Sequence, residues 1–244
     1  MLALHGVTGH GARFTRLASE GLPELRWIVP DLRGHGRSDW NPPWSVEQLV
    51  TDAIEVLDAE GLGRVTVIGH SYGGLLATQL AARDPQRVER LVLLDPSIAR
   101  DPAEMLEAAE ETRRDEGWDS AEAAHADRVS GFPAHAHADV AADVSEALEL
   151  GDDGRFRLRY CRSAVVTAWS EMAAPAASIA GWPGSALVLE ALRHGTTTEA
   201  ALEQLRADLG SRLTHHTLDC GHVVYWEVFD EVVAELRAFL LAPT

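Results

Sequence analysis

The stretch Val65-Thr66-Val67-Ile68-Gly69-His70-Ser71-Tyr72-Gly73-Gly74 decides the fold of this chain. Its β-branched start predicts a strand, and the apolar run Leu75–Ala82 after it predicts a helix. A sharp turn between strand and helix exposes and orients a serine, and the glycines of Gly-x-Ser-x-Gly let neighbouring segments approach the strained backbone. The helix N-terminus then faces the point where negative charge develops. Ser71 is therefore the candidate nucleophile, and the alternative is an ordinary strand–helix turn with an incidental serine.

Length and composition indicate one α/β domain with an insertion. The 244 residues are 46% hydrophobic and 24% charged, with a formal net charge of −17. An acidic surface repels nucleic acid and anionic membranes, so neither is expected as a partner. The two cysteines, Cys161 and Cys220, lie far apart and predict neither a disulfide framework nor a zinc site. Without an apolar run of membrane-spanning length or a signal-type N-terminus, we expect no membrane insertion and a cytoplasmic location.

Apolar runs predict an alternation of strands and helices on both sides of the serine turn. The predicted strands are Met1–Leu4, Trp27–Pro30, Val65–Ile68, Arg90–Leu94, Ser185–Leu189 and Arg212–Leu218. The predicted helices between them are Ala12–Gly21, Val46–Glu60, Leu75–Ala82, Thr197–Leu209 and Trp226–Leu241. This alternation is typical of a mostly parallel sheet flanked by helices.

Residues 97–183 interrupt the alternation. Helical stretches dominate there, and Arg155–Arg159 is the one strand-like piece; the helical stretches are Pro102–Glu116, Ser120–Ser130 and Val140–Leu150. We expect residues 97–183 to form a helical cap over the carboxyl edge of a core made of residues 1–96 and 184–244. The cap histidines, His125, His135 and His137, lack metal-type spacing and are expected to be solvated. No metal is predicted.

Three further segments predict partners for the serine at the same sheet edge. His5-Gly6-Val7-Thr8-Gly9-His10-Gly11 is rich enough in glycine to turn backbone amides into a cavity, as an oxyanion loop or as a plain strand–helix turn. Asp95 directly follows the predicted strand Arg90–Leu94 and so lies at the edge where open α/β sheets bind ligands. Asp219-Cys220-Gly221-His222 follows the last predicted strand, so His222 is the candidate base.

Together, these segments resemble the α/β-hydrolase superfamily, and within it the capped serine esterases and lipases. The matching segments, in the family's order, are His5-Gly6-Val7, Asp31-Leu32-Arg33-Gly34-His35-Gly36-Arg37-Ser38, Gly69-His70-Ser71-Tyr72-Gly73-Gly74 and Gly221-His222. The resemblance implies a helical cap inserted after the family's strand 6. Because Met1 falls inside the family's third strand, it also implies that the first two strands are missing through a truncated start. Six strands then remain, with Trp27–Pro30 at an edge beside Met1–Leu4.

The acid of the implied triad departs from the family's usual pattern. The resemblance places it after strand 7 as Gly-x-x-Asp, but Leu189–Thr196 contains no aspartate. Some members carry it after strand 6, where this chain has Asp95. We therefore expect Asp95 to be the acid, with Glu190 or an incomplete triad as the alternatives.

The resemblance implies carboxylic ester hydrolysis through Ser71, His222 and Asp95. The amides of Val7 and Tyr72 would stabilise the oxyanion, and the substrate would be a small ester with no cofactor. Carbon–carbon bond hydrolases, lactonases and thioesterases share this triad and stay open as alternatives. So does a weakly catalytic small-molecule-binding protein, which the missing post-strand-7 acid favours. Epoxide hydrolases and haloalkane dehalogenases are disfavoured because they carry aspartate at the nucleophile position.

Overall fold

A computed structural model describes residues 1–241 as an α/β fold. The strands are β1 (Leu2–Leu4), β2 (Val65–His70), β3 (Val88–Leu94), β4 (Leu148–Leu150), β5 (Phe156–Leu158), β6 (Ser185–Ala191) and β7 (Leu213–Leu218). The helices are α1 (Val46–Ala59), α2 (Tyr72–Arg83), α3 (Pro102–Arg114), α4 (Ala121–Ser130), α5 (His137–Ala147), α6 (Arg162–Met172), α7 (Glu199–Leu209), α8 (Val224–Glu227) and α9 (Phe229–Leu241).

Five parallel strands form the central sheet in the order β1-β2-β3-β6-β7. The register aligns the carboxyl ends of the middle strands, since Leu94 pairs with His70 on one side and with Leu189 on the other. The residues that follow β1, β2 and β3 therefore meet at one edge, as predicted for an α/β sheet.

The prediction that Trp27–Pro30 forms a regular strand of the sheet is wrong. Ile28 exchanges backbone hydrogen bonds with Met1 and Ala3, at 2.9 Å each, but forms only an isolated bridge to Leu2. Pro30 has no amide to donate and so cannot extend the pairing. The segment does lie beside β1, as the sequence predicts, and the regular sheet has five strands.

Apolar side chains cover both faces of the sheet, which explains the continuous apolar run in β3. Leu91 and Leu93 pack into one core with α1, α2 and α7, whereas Val92 and Leu94 pack into a second core with α8 and α9. All four are fully buried. Strands of this kind lack polar alternation because neither face meets water.

The segment between β3 and β6 contains α3 to α6 and a small antiparallel hairpin of β4 and β5. The predicted helix Val140–Leu150 is wrong at its end, because the last three residues pair with Phe156–Leu158 as β4. Helix α6 (Arg162–Met172) was not predicted. Its alanines and β-branched residues give only a weak helical pattern, and packing against α3 stabilises it.

Ser45 caps the N-terminus of α1 as predicted, since its side chain accepts a hydrogen bond from the Gln48 amide at 3.3 Å. The predicted helix Ala12–Gly21 is irregular and ends in a π-helical turn over Leu17–Gly21. The predicted final helix is two helices, α8 and α9. Of the helices within residues 1–241, none is both long and apolar enough to cross a bilayer.

Candidate active site

Ser71 lies in the sharp turn between β2 and α2, with φ of 54° and ψ of −118°. A side chain rarely adopts this backbone conformation, and the flanking glycines make it possible. A Cβ at Gly69 would lie 2.1 Å from the Gly73 carbonyl oxygen, and one at Gly73 would lie 1.9 Å from the Leu4 carbonyl oxygen. The Ser71 amide donates to the Leu94 carbonyl at 3.0 Å. The predicted turn is therefore confirmed in its geometry.

Asp95 and His222 form a buried pair. The Oδ2 of Asp95 lies 2.6 Å from Nδ1 of His222, and the Asp95 side chain is fully buried while the His222 ring is partly exposed. Burial alone would raise the pKa of the Asp95 carboxyl, but the hydrogen bond and charge of His222 and the Thr197 hydroxyl hold it below its ordinary value. An ionised carboxylate at this position fixes the imidazole with Nδ1 protonated and leaves Nε2 free to accept a proton.

Thr197, which the sequence interpretation missed, supports the other oxygen of Asp95. Its hydroxyl donates to Oδ1 at 2.8 Å, and the Ala191 amide donates to the same oxygen at 3.3 Å. Both residues belong to the end of β6 and the loop after it, where the resemblance places the superfamily's usual acid. The run Gly195-Thr196-Thr197-Thr198 was a possible signal, because a hydroxyl at that edge can donate to a carboxylate from a neighbouring strand.

Two more histidines flank His222. His70 Nε2 lies 2.9 Å from the His222 carbonyl oxygen, and burial keeps the pKa of His70 well below its ordinary value, so the neutral ring donates there. The His194 ring stacks on the His222 ring with centroids 4.5 Å apart and planes 17° apart. His70 directly precedes Ser71 in the chain, and His194 belongs to the loop after β6. Neither role was visible from the pattern alone.

The loop after β1 is held by two buried histidines. The Leu32 amide donates to Nε2 of His5 at 2.9 Å, so Nδ1 carries the proton and donates to the Gly6 carbonyl at 2.8 Å. His35 Nε2 lies 2.5 Å from the Val7 carbonyl oxygen. Burial lowers the pKa of both rings. These contacts hold the backbone of the loop that contains Val7.

The two amides expected to bind an oxyanion are Val7 and Tyr72. Within residues 1–241, neither amide donates a hydrogen bond to the protein. Tyr72 begins α2, where the first amides of a helix have no partner inside it. The Tyr72 side chain is fully buried, and burial raises the pKa of its hydroxyl. Their role as oxyanion donors stays a prediction.

Ser71 and His222 line one cavity of about 520 Å³. Residues from the segment between β3 and β6 also line it, including Met105 in α3, Trp169 in α6 and Phe132 in the loop after α4. From the sequence, Trp40, Trp44 and Trp169 are candidates for lining an acyl pocket, with ordinary packing in the core or cap as the alternative. Within the part of the chain that the structure describes, only Trp169 of these three lines this cavity.

Glu190, the alternative acid, and Glu199, in the helix after it, each have another partner. Glu190 Oε2 contacts Nε2 of His215 at 2.8 Å, and Glu199 pairs with Arg206 at 2.6 Å on α7. Among the described residues, Asp95 is the carboxylate that the structure brings to His222.

A metal ion could be held by Asp95, His194 and His222, each of which offers one ligand atom within 4.8 Å of the others. Within residues 1–241, this group does not include the cap histidines. His135 hydrogen-bonds to the Glu227 carbonyl and His137 to the Phe132 carbonyl.

Comparisons with known proteins agree with this architecture. The family model for the alpha/beta hydrolase fold matches residues 1–118. Lipase LipV of Mycobacterium tuberculosis is 35% identical over 98% of this chain and 92% of its own length. Two solved structures share the fold at 20% identity: E-2-(acetamidomethylene)succinate hydrolase and a marine microorganism esterase. The first has a TM-score of 0.82 and coverage of 99% of this chain and 91% of its own. The second has a TM-score of 0.78 and coverage of 98% and 94%.

Proposed function

The chain belongs to the α/β-hydrolase family, and we propose that it is a serine hydrolase that cleaves carboxylic esters. The observation that carries the proposal is the contact of 2.6 Å between buried Asp95 and His222, whose ring lines the same cavity as Ser71. A histidine with a buried carboxylate at Nδ1 is a general base for a neighbouring hydroxyl. The name of LipV, a lipase related along nearly the whole chain, supports an ester as the bond cleaved.

In the proposed reaction, Ser71 Oγ attacks the ester carbonyl carbon while His222 Nε2 takes the hydroxyl proton. The tetrahedral intermediate then collapses, the bond to the alcohol oxygen breaks, and His222 returns the proton to that oxygen. Water repeats the sequence on the acyl-enzyme and releases the acid. Asp95 stays ionised throughout and stabilises the imidazolium.

The amides of Val7 and Tyr72 are the proposed donors to the oxyanion. Both are unpaired within residues 1–241, and the Tyr72 amide is at the N-terminus of α2, where the helix dipole also favours negative charge. Losing one such donor costs about 3–4 kcal/mol of transition-state stabilisation. We further propose that residues 97–183 act as a cap domain, because Met105, Phe132 and Trp169 line the cavity.

Labelling with a fluorophosphonate probe tests the proposal. We expect the folded protein to be labelled and to hydrolyse p-nitrophenyl esters, and Ser71→Ala to lose both properties. Asp95→Asn should lower kcat by about 10⁴-fold through the wrong imidazole tautomer. A folded protein that takes no label would instead support a small-molecule-binding role, and full activity in Asp95→Asn would move the acid elsewhere.

A further inference from the structure

Three arginines, Arg13, Arg100 and Arg128, line the candidate active-site cavity. This concentration of positive charge is unexpected in a chain whose net charge is −17. An ester carbonyl and an alcohol leaving group carry no charge, so their hydrolysis does not require cationic side chains in the pocket. Removing a guanidinium from bulk water is also costly unless an anion compensates for it.

Two of these arginines are neutralised by the protein itself. Arg13 forms a two-bond contact with Asp143, from Nε at 2.6 Å and from one terminal nitrogen at 3.1 Å. Arg100 donates to Glu104 at 2.6 Å and to the Thr196 carbonyl at 3.1 Å. Neither therefore presents an unbalanced charge to a ligand.

Arg128, in the last turn of α4, has no such partner. Within residues 1–241 it forms no hydrogen bond and no ion pair, and its Nε is completely buried without an acceptor. Burial, and then repulsion by Arg13, lowers the pKa of its guanidinium, so both effects destabilise the positive charge of Arg128. Asp143 is already bound to Arg13. Of the two carboxylates that line the cavity, Glu104 pairs with Arg100 and Glu227 accepts from the Gly221 amide at 2.9 Å.

We propose that Arg128 binds a carboxylate of the substrate, so that the preferred substrates are esters that also carry a carboxylate, such as half-esters of dicarboxylic acids. This inference rests on the proposed esterase function. A guanidinium donates two parallel hydrogen bonds to a carboxylate and so recognises both its charge and its shape. The apolar side chains of Met105, Phe132 and Trp169 line the same cavity and would accommodate the hydrocarbon spacer between the two ends.

A pair of chromogenic substrates tests this inference: neutral p-nitrophenyl butyrate and anionic mono-p-nitrophenyl glutarate. We expect the wild type to favour the anionic ester in kcat/KM. A hydrogen bond to a charged group contributes about 1.5–3 kcal/mol, so Arg128→Gln should lower the anionic-to-neutral ratio by about 10–100-fold, mainly through KM. Arg128→Lys should recover part of the ratio, because it keeps the charge but not the two-bond geometry.

Arg114→Gln is the matched control. It makes the same charge change on the exposed face of α3, where Arg114 pairs with Glu110, and it should leave the ratio unchanged. An unaltered ratio in Arg128→Gln, or an equal loss for both esters, would overturn the inference. Equal effects of Arg128→Gln and Arg114→Gln would also overturn it, because they would show that the preference for the anionic ester comes from the overall electrostatic field of the protein.

Equilibrium binding separates this inference from the proposed function. Calorimetry on Ser71→Ala with glutarate should show binding that weakens about tenfold or more when Arg128→Gln is added. If the wild type cleaves neither ester but this loss is seen, the esterase proposal fails and the anion site stands. If both esters are cleaved without preference and Arg128→Gln does not change the affinity for glutarate, only the anion site fails. Tighter binding of inorganic phosphate than of glutarate would contradict the carboxylate assignment.

Discussion

Thr197 Oγ1 donates a hydrogen bond of 2.8 Å to Oδ1 of Asp95. The aspartate comes from the end of β3 and the threonine from the loop after β6, so neighbouring strands supply the charge and its support. The remaining oxygen, Oδ2, faces His222 at 2.6 Å. In this chain the loop after β6 orients a carboxylate that it does not itself provide.

Thr197→Val should therefore impair catalysis by disturbing the position of Asp95 rather than by weakening substrate binding. The change keeps the side-chain shape but removes a hydrogen bond to a charged group, which is worth about 1.5–3 kcal/mol. We expect kcat on p-nitrophenyl butyrate to fall by about tenfold or more with little change in KM. Thr197→Ser keeps the hydroxyl and should retain most of kcat. A rise in KM at constant kcat would show that Thr197 contacts substrate instead.

Gly73→Ala should prevent the serine turn from forming. Its Cβ would lie 1.9 Å from the Leu4 carbonyl oxygen, which is backbone in the adjacent strand β1 and cannot rotate away. We expect a loss of several kcal/mol in the free energy of unfolding, measured in urea, and no fluorophosphonate labelling. Gly63→Ala is the control, because a Cβ at that position would have no neighbour within 4 Å, and it should leave stability nearly unchanged. Equal stability of the two variants would contradict the close approach of β1 to α2.

Asp143→Ala should destabilise the protein in a pH-dependent way. Burial opposes ionisation of this carboxyl, but the charge of Arg13 and the hydrogen bonds from His10 and Arg13 hold its pKa below the ordinary value of 3.8. A lowered pKa in the folded state gives stability that is present above pH 3.8 and is lost as the pH falls through the folded value. Removing one partner of a buried pair costs about 3–5 kcal/mol at neutral pH, and we expect this difference to shrink in acid.

Asp153→Ala is the control for that experiment. Asp153 also pairs with an arginine, Arg157, at 2.7 Å, but 53% of its side chain is exposed. A solvent-exposed pair contributes little to stability because water screens it, so this variant should unfold close to the wild type in urea. If both aspartate variants lose the same stability, the burial of the Arg13–Asp143 pair has no energetic consequence.

Local sequence patterns were enough to predict the serine turn, the five sheet strands and the convergence of Ser71, Asp95 and His222 at one edge. These features depend on short-range rules: apolar runs form buried strands, and parallel strands bring their carboxyl ends together. The same rules failed for Trp27–Pro30. Pro30 has no amide hydrogen to donate, so this apolar segment forms only one bridge to β1 instead of a regular strand.

Contacts between distant segments could not be predicted in this way. The hydrogen bond from Thr197 to Asp95 joins residues 102 positions apart, and the Arg13–Asp143 pair spans 130 positions. Neither has a spacing that marks it in the sequence. Among the described residues Arg128 has no hydrogen-bond or ion-pair partner, and this too became visible only in three dimensions.

Zinc should inhibit the enzyme through His194. This residue, Asp95 and His222 each offer a ligand atom within 4.8 Å of the others, and imidazole and carboxylate groups are suitable zinc ligands. A zinc ion bound there would occupy the histidine that the proposed reaction needs as a base. We expect micromolar ZnCl₂ to inhibit p-nitrophenyl butyrate hydrolysis and a chelator to restore activity fully.

His194→Ala should make that inhibition at least about tenfold weaker, because even changes outside the ligand shell cost roughly 10–100-fold in metal affinity. His125→Ala removes an exposed histidine of α4 that lies outside this group and should leave the zinc concentration for half-inhibition unchanged. Equal half-inhibition in the two variants would show that zinc acts elsewhere on the protein. Inhibition that a chelator cannot reverse would indicate aggregation rather than a bound ion, since a metal held by three side chains exchanges with a stronger ligand.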